Sequence, residues 1–152
     1  MNHPATARKS APEAEPVDRH QRNQGMNWIR PEKRLAIYLR DGLACGYCGA
    51  SVEEDAKLTL DHLKTHSAGG ANDSTNLITC CHRCNSARGN RPWTIFAKHV
   101  ASYVNRGATG DKIIAHIRRT TRRTLDVPTA KALIAQRGGF SAALRPTAAR
   151  AA

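Results

Sequence analysis

Two pairs of cysteines set the narrowest limits on this chain: Cys45-Gly46-Tyr47-Cys48, then 32 intervening residues, then Cys81-His82-Arg83-Cys84. Each C-x-x-C turn presents two sulfurs from one tight bend, and two such turns can close a tetrahedral thiolate site of the kind zinc prefers. Gly46 and Gly49 lie beside the first turn, where glycine relieves backbone strain. A redox role is disfavoured, because there are two pairs and no thioredoxin-like βαβ pattern surrounds either. Cys45, Cys48, Cys81 and Cys84 are therefore expected to hold structural Zn²⁺. The composition calls for such a staple: of 152 residues only 5% are aromatic and 40% hydrophobic, a thin supply for a core. Cys80 reads as a small buried residue on a strand, with a competing Cys80-x3-Cys84 register left open. His82 reads as a surface residue, since four sulfurs already complete the set.

Lys and Arg total 24 against 12 acidic residues, a net charge of +12. That surplus attracts polyanions, either nucleic acid or an anionic membrane. No stretch approaches the roughly 18 apolar residues that span a bilayer, and the N-terminus lacks the apolar run of a signal peptide. The expectation is a cytoplasmic protein with no membrane partner, in a reducing compartment where paired cysteines bind metal.

Residues 1–25 contain no Leu, Ile, Phe, Trp or Tyr and read as a disordered basic tail. A helix should start at Pro31, with Glu32 near its positive end, carry Leu35, Ala36, Tyr38 and Leu39 on its apolar side, and stop at Asp41-Gly42. The alternation in 57–63 predicts a strand, 64–75 a loop, 77–79 a second short strand, and 82–89 a short helix. Helices are expected near 94–105, 111–124 and 128–137. The division is a core at 26–93, a helical extension at 94–137 and a flexible tail at 138–152, from which Phe140 and Leu144 are the residues able to dock. The fold class is α+β.

One further set of residues decides the chemistry: Asp61-His62, Gly69-Gly70, Asn76-Leu77 and Cys81-x2-Cys84-Asn85. Ahead of it stand Arg40-Asp41-Gly42, Cys45-x-Tyr47-Cys48-Gly49 and Leu58-Thr59-Leu60-Asp61-His62. This pattern, over about residues 30–92, resembles the HNH endonuclease family. The resemblance implies a small ββα-metal core and hydrolysis of phosphodiester bonds in DNA, with RNA the other candidate, leaving 5′-phosphate and 3′-hydroxyl ends. It assigns His62 as the base that activates water, the usual choice near neutral pH. Asp61 and Asn85 would hold the catalytic Mg²⁺ or Mn²⁺, for which hard oxygens are suitable ligands. Asn76 would tie the loop to the backbone and keep His62 oriented. The third letter is Asn85 rather than His, which makes this an HNN variant. Thr65-His66 stands where many relatives carry proline; His66 is either a contact to phosphate or metal, or a loop residue without a role. Because the zinc is separate from these residues, substitutions at Asp61, His62 and Asn85 are expected to leave folding intact.

Arg88 follows Asn85 by three residues, on the same helix face, and with Arg91 is expected to hold phosphates. Arg118, Arg119, Arg122 and Arg123 form a basic stripe whose self-repulsion a nucleic-acid backbone would relieve. A monomer or a homodimer suits these features. The competing class is a non-catalytic zinc module that only binds nucleic acid.

Overall fold

The computed structural model describes residues 28–104 and 107–146. The expected tail at 1–25 and the last six residues lie outside that range. Helix α1 runs Pro31–Arg40, with proline at its start, Glu32 in its first turn and Asp41 at its end. After the first cysteine turn and a single 3-10 turn at Val52–Glu54, strand β1 runs Leu58–His62. Two further 3-10 turns, His66–Ala68 and Ser74–Asn76, shape the loop that leads to β2, Leu77–Cys81. The strands pair antiparallel, Asp61 opposite Ile78 and His62 opposite Leu77. Helix α2, His82–Arg88, continues directly from β2. Then follow α3 (Trp93–Tyr103), α4 (Gly110–Thr121), α5 (Val127–Arg137) and α6 (Phe140–Leu144). The result is an α+β fold with a two-stranded sheet, in keeping with a ββα core.

β2 is two residues longer than the sequence suggests and is buried along its whole length. The cause is tertiary: α1 and α4 both pack on it, so neither side of the strand faces water. Cys80 is fully buried there, on the strand. The knuckle cysteines, Tyr47 and Ile78 share one apolar cluster with Phe96, Ala97 and Val100 of α3 and Ile113, Ile114 and Ile117 of α4. The helices that follow the core are thus built into it. α5 packs along α1.

The tail expected from residue 138 instead begins with α6. Phe140 and Leu144 pack against α1, with the Phe140 ring 6.2 Å from that of Tyr38. Their two large apolar side chains outweigh the small and polar residues around them. Tyr38 also donates to the Leu58 carbonyl oxygen at 3.1 Å, and burial pushes its hydroxyl up to about 12. Among the described residues no helix is long and apolar enough to cross a membrane.

The Arg40-Asp41 pair fastens this frame. Arg40 donates to both Asp41 carboxylate oxygens and to the Ser74 and Leu77 carbonyls at 2.8 and 2.7 Å, while Asp41 accepts from the Thr79 N–H at 2.7 Å. The end of α1 is thereby tied to both ends of the turn that enters β2.

Candidate functional site

The sulfurs of Cys45, Cys48, Cys81 and Cys84 all lie within 4.8 Å of one another, and all four residues are buried. Cys48 and Cys81 are 3.7 Å apart. A tetrahedron with metal–sulfur bonds of about 2.3 Å has sulfurs spaced about 3.8 Å, so the cluster fits a four-coordinate metal ion. The two turns repeat one geometry: the N–H of Cys48 donates to the Cys45 sulfur at 3.5 Å, and that of Cys84 to the Cys81 sulfur at 3.4 Å. Gly49 has φ +76°, as the left-handed residue closing the turn. Gly46 has another reason: a Cβ there would come 2.8 Å from the Ile78 side chain. Hydrogen bonding among the sulfurs, then burial, pushes the Cys81 and Cys84 thiols up and Cys45 to about 12, while bonds from Cys45 and Cys84 pull Cys48 down. Metal uptake here must release protons.

Asp61 and His62 end β1, and neighbours on a strand point to opposite sides. Asp61 points inward and is 7% exposed. Its carboxylate accepts from Arg88 at 2.6 Å on both oxygens and from the Tyr47 hydroxyl at 2.7 Å. Burial, and then the Asp61 charge, push the Tyr47 hydroxyl far up, so it stays a donor. Phe96 of α3 packs edge-on against the Tyr47 ring at 5.0 Å, which carries the support of the C-terminal helices to Asp61.

His62 points the other way and is half-buried. Its Nε2 lies 2.8 Å from Asn72 Oδ1. The Trp28 ring covers one face at 4.9 Å between centroids, and His66 lies 6.1 Å away. Asn76 does not touch His62. Its amide bridges the loop: Oδ1 accepts from the Lys64 N–H at 2.9 Å, and Nδ2 donates to the carbonyls of Lys64 and Ala71 at 3.1 and 2.9 Å. Gly70 is compulsory in this loop, because a Cβ there would sit 1.8 Å from the Lys64 carbonyl oxygen.

Asn85 lies on α2, half-buried, one turn before Arg88. Its side chain makes no hydrogen bond among the described residues. Arg88 departs from expectation. It is 2% exposed, and beyond Asp61 it donates to the carbonyls of His62, Leu63 and Arg91 at 2.6, 2.9 and 3.0 Å. A buried guanidinium with its donors spent on the Asp61 carboxylate and main-chain carbonyls is no surface phosphate contact. Its i+3 relation to Asn85 was legible, but the carboxylate across the sheet was not. Arg91 is exposed, stacked 5.7 Å over the Phe96 ring. Arg118, Arg119, Arg122 and Arg123 are exposed, the last two beyond the end of α4, and Arg118 lies 5.9 Å over Trp93. None of the four forms an ion pair among the described residues.

Tyr47 carried a sequence signal, as the residue between the first two cysteines. Asn72 and Trp28 carried none, since the loop and the chain before α1 reach His62 only on folding.

Residues 45–91 match the HNH endonuclease family model. Over 63 residues the chain is 35% identical to the CRISPR-associated endonuclease Cas9 of Corynebacterium diphtheriae, covering 41% of this chain and 6% of that protein. Over 66 residues it is 34% identical to the Cas9 of Actinomyces naeslundii, covering 43% of this chain and 6% of the relative. The chain thus spans a small fraction of these relatives' length. No solved structure matches it.

Proposed function

Given the HNH endonuclease domain at residues 45–91, we propose that this chain hydrolyses phosphodiester bonds in nucleic acid, DNA first and RNA as the alternative target, with His62 as the base. The observation that carries the reading is the end of β1: a half-buried imidazole, hydrogen-bonded through one nitrogen, beside a buried carboxylate that faces α2. A ring held in this way can take a proton from a water that attacks phosphorus, and Trp28 shields one face from bulk solvent.

Asp61 and Asn85 would hold the catalytic Mg²⁺ or Mn²⁺. The donor chemistry fits: Asn85 offers an amide oxygen with no hydrogen-bond partner among the described residues. Asp61 has about four lone-pair positions, of which Arg88 and Tyr47 engage three. When bound, such an ion stabilises charge on the phosphate and leaving oxygens. Arg88 keeps Asp61 neutralised, so a dication must compete with a guanidinium already in place. Zn²⁺ is the natural occupant of the four-cysteine site, whose ligands are distinct from Asp61 and Asn85, and it holds α2 to the first turn. Asn76 acts through the loop. Arg91 and the four arginines at the end of α4 bind the nucleic-acid backbone rather than base edges. We place the nuclease core at 26–93 and the supporting helices at 94–137, in a cytoplasmic monomer or homodimer.

A second reading has one observation in its favour: Asp61 is engaged by Arg88 and Tyr47, as suits a non-catalytic zinc module that binds nucleic acid. Plasmid nicking in Mg²⁺ and in Mn²⁺ separates the two. Wild type should nick, and His62→Ala should lose about 10²–10⁴ in rate with zinc content unchanged. Inert wild type that still binds DNA would establish the binding module instead.

A further inference from the structure

We propose that Asn72 is a positioning residue for His62: its side-chain oxygen holds the Nε2–H and so leaves the lone pair of Nδ1 as the base, with Trp28 fixing the plane of the ring. The inference deepens the reading of His62 as base and rests on it. A neutral imidazole has one N–H and one lone pair, and only the lone pair can take a proton. Asn72 Oδ1 lies 2.8 Å from Nε2. An amide oxygen only accepts, so Nε2 must carry the hydrogen and Nδ1 is left with the lone pair. Were the amide turned to present its N–H, it would consume the lone pair of Nε2, and the hydrogen would move to Nδ1. The ring would then have no free basic nitrogen. Base chemistry at His62 therefore requires the oxygen to face it.

The loop is built to hold that amide still. Lys33 Nζ donates to the Asn72 carbonyl oxygen at 2.9 Å. Asn76 grips the Ala71 carbonyl on one side, and the Gly70 N–H donates to the Thr65 carbonyl at 2.9 Å. Trp28, at 4.9 Å and inclined by 34°, resists the ring flip that would exchange Nδ1 and Nε2. Asn76 and Gly70, both parts of the recognised pattern, thus reach His62 through a residue outside it.

The test is imidazole ¹⁵N NMR on the full zinc-loaded chain at a pH about two units above the ordinary histidine range, with the His62 signals identified from their loss in His62→Gln. Wild type should show a single Nε2–H tautomer. Asn72→Ala should move toward the mixture of a free imidazole, and Asn72→Asp, which keeps an acceptor, should restore the single form. In nicking assays Asn72→Ala should lower kcat by about tenfold or more, less than loss of the base itself, with KM for DNA unchanged. It should add nothing in the His62→Ala background. An Nδ1–H tautomer in wild type, or a tautomer indifferent to Asn72→Ala, overturns the inference even if the enzyme cuts. Inert wild type overturns the nuclease reading, and the NMR result then decides the tautomer by itself.

Discussion

Asp61→Ala should destabilise the protein severely, although from sequence alone the substitution removes a charged metal ligand and leaves folding intact. The variant leaves the Arg88 side chain, 2% exposed, without its carboxylate. Breaking a buried pair by removing one partner costs about 3–5 kcal/mol. Tyr47, 3% exposed, also loses its acceptor, and an orphaned buried donor costs about 1–3 kcal/mol, a loss that overlaps with the first. About 4 kcal/mol is a large part of the roughly 5–15 kcal/mol that holds a domain together. With a urea slope of about 1.5 kcal/mol/M, the midpoint should fall by about 2.7 M. Asp61→Asn keeps the shape and one acceptor oxygen, so it should fall by about half as much. Asp61→Ala combined with Arg88→Met should be more stable than the sum of the two singles, because no charge is left behind; the coupling should exceed about 1.5 kcal/mol. The assay is urea unfolding of zinc-loaded protein followed by circular dichroism, with zinc content measured in parallel. A shift below about 0.5 kcal/mol for Asp61→Ala, or strict additivity in the cycle, would refute the buried-pair reasoning. Asp61→Asn is therefore the better variant for asking about metal.

Purified protein should contain one zinc per chain by elemental analysis, and Cys48→Ser or Cys84→Ser should abolish folding; zinc-free protein that cuts would contradict this. Zinc uptake should release protons, read with a pH indicator, because thiols held protonated by their neighbours must ionise to bind. Gly70→Ala should cost about 1–3 kcal/mol through the clash with the Lys64 carbonyl and reduce nicking more than it reduces DNA binding, checked by unfolding and by gel shift. Replacing Arg118, Arg119, Arg122 and Arg123 with alanine should flatten the dependence of DNA affinity on salt, by about 0.9 in log–log slope for each phosphate that is no longer neutralised; an unchanged slope makes the stripe a solvated face.

Local features of the chain were enough to mark the four cysteines, the helix between Pro31 and Asp41-Gly42, both strands and the Asp61-His62 step. Each rests on neighbours within a few residues: a turn that aims two sulfurs, a fixed proline φ, an alternation of period two. Spacing also gave Asn76 and Gly70 their place in the loop, because a carbonyl six residues before Gly70 is a short-range constraint. What lay beyond reach were relations across long stretches of chain. Arg88 lies 27 residues from Asp61, and an arginine one turn after Asn85 reads from sequence as a phosphate ligand. The crossing of α2 over β1 overturns that reading, by taking both charges out of water together. The same holds for α6, whose small residues gave no helix signal until α1 offered a surface for Phe140 and Leu144, and for β2, polar at Thr79 yet covered on both sides. His62 carries its residue type from the sequence. Its orientation comes from Trp28 and Asn72, which meet it only after the chain has closed, because a hydrogen bond and a ring stack are fixed by direction in space and not by separation along the chain.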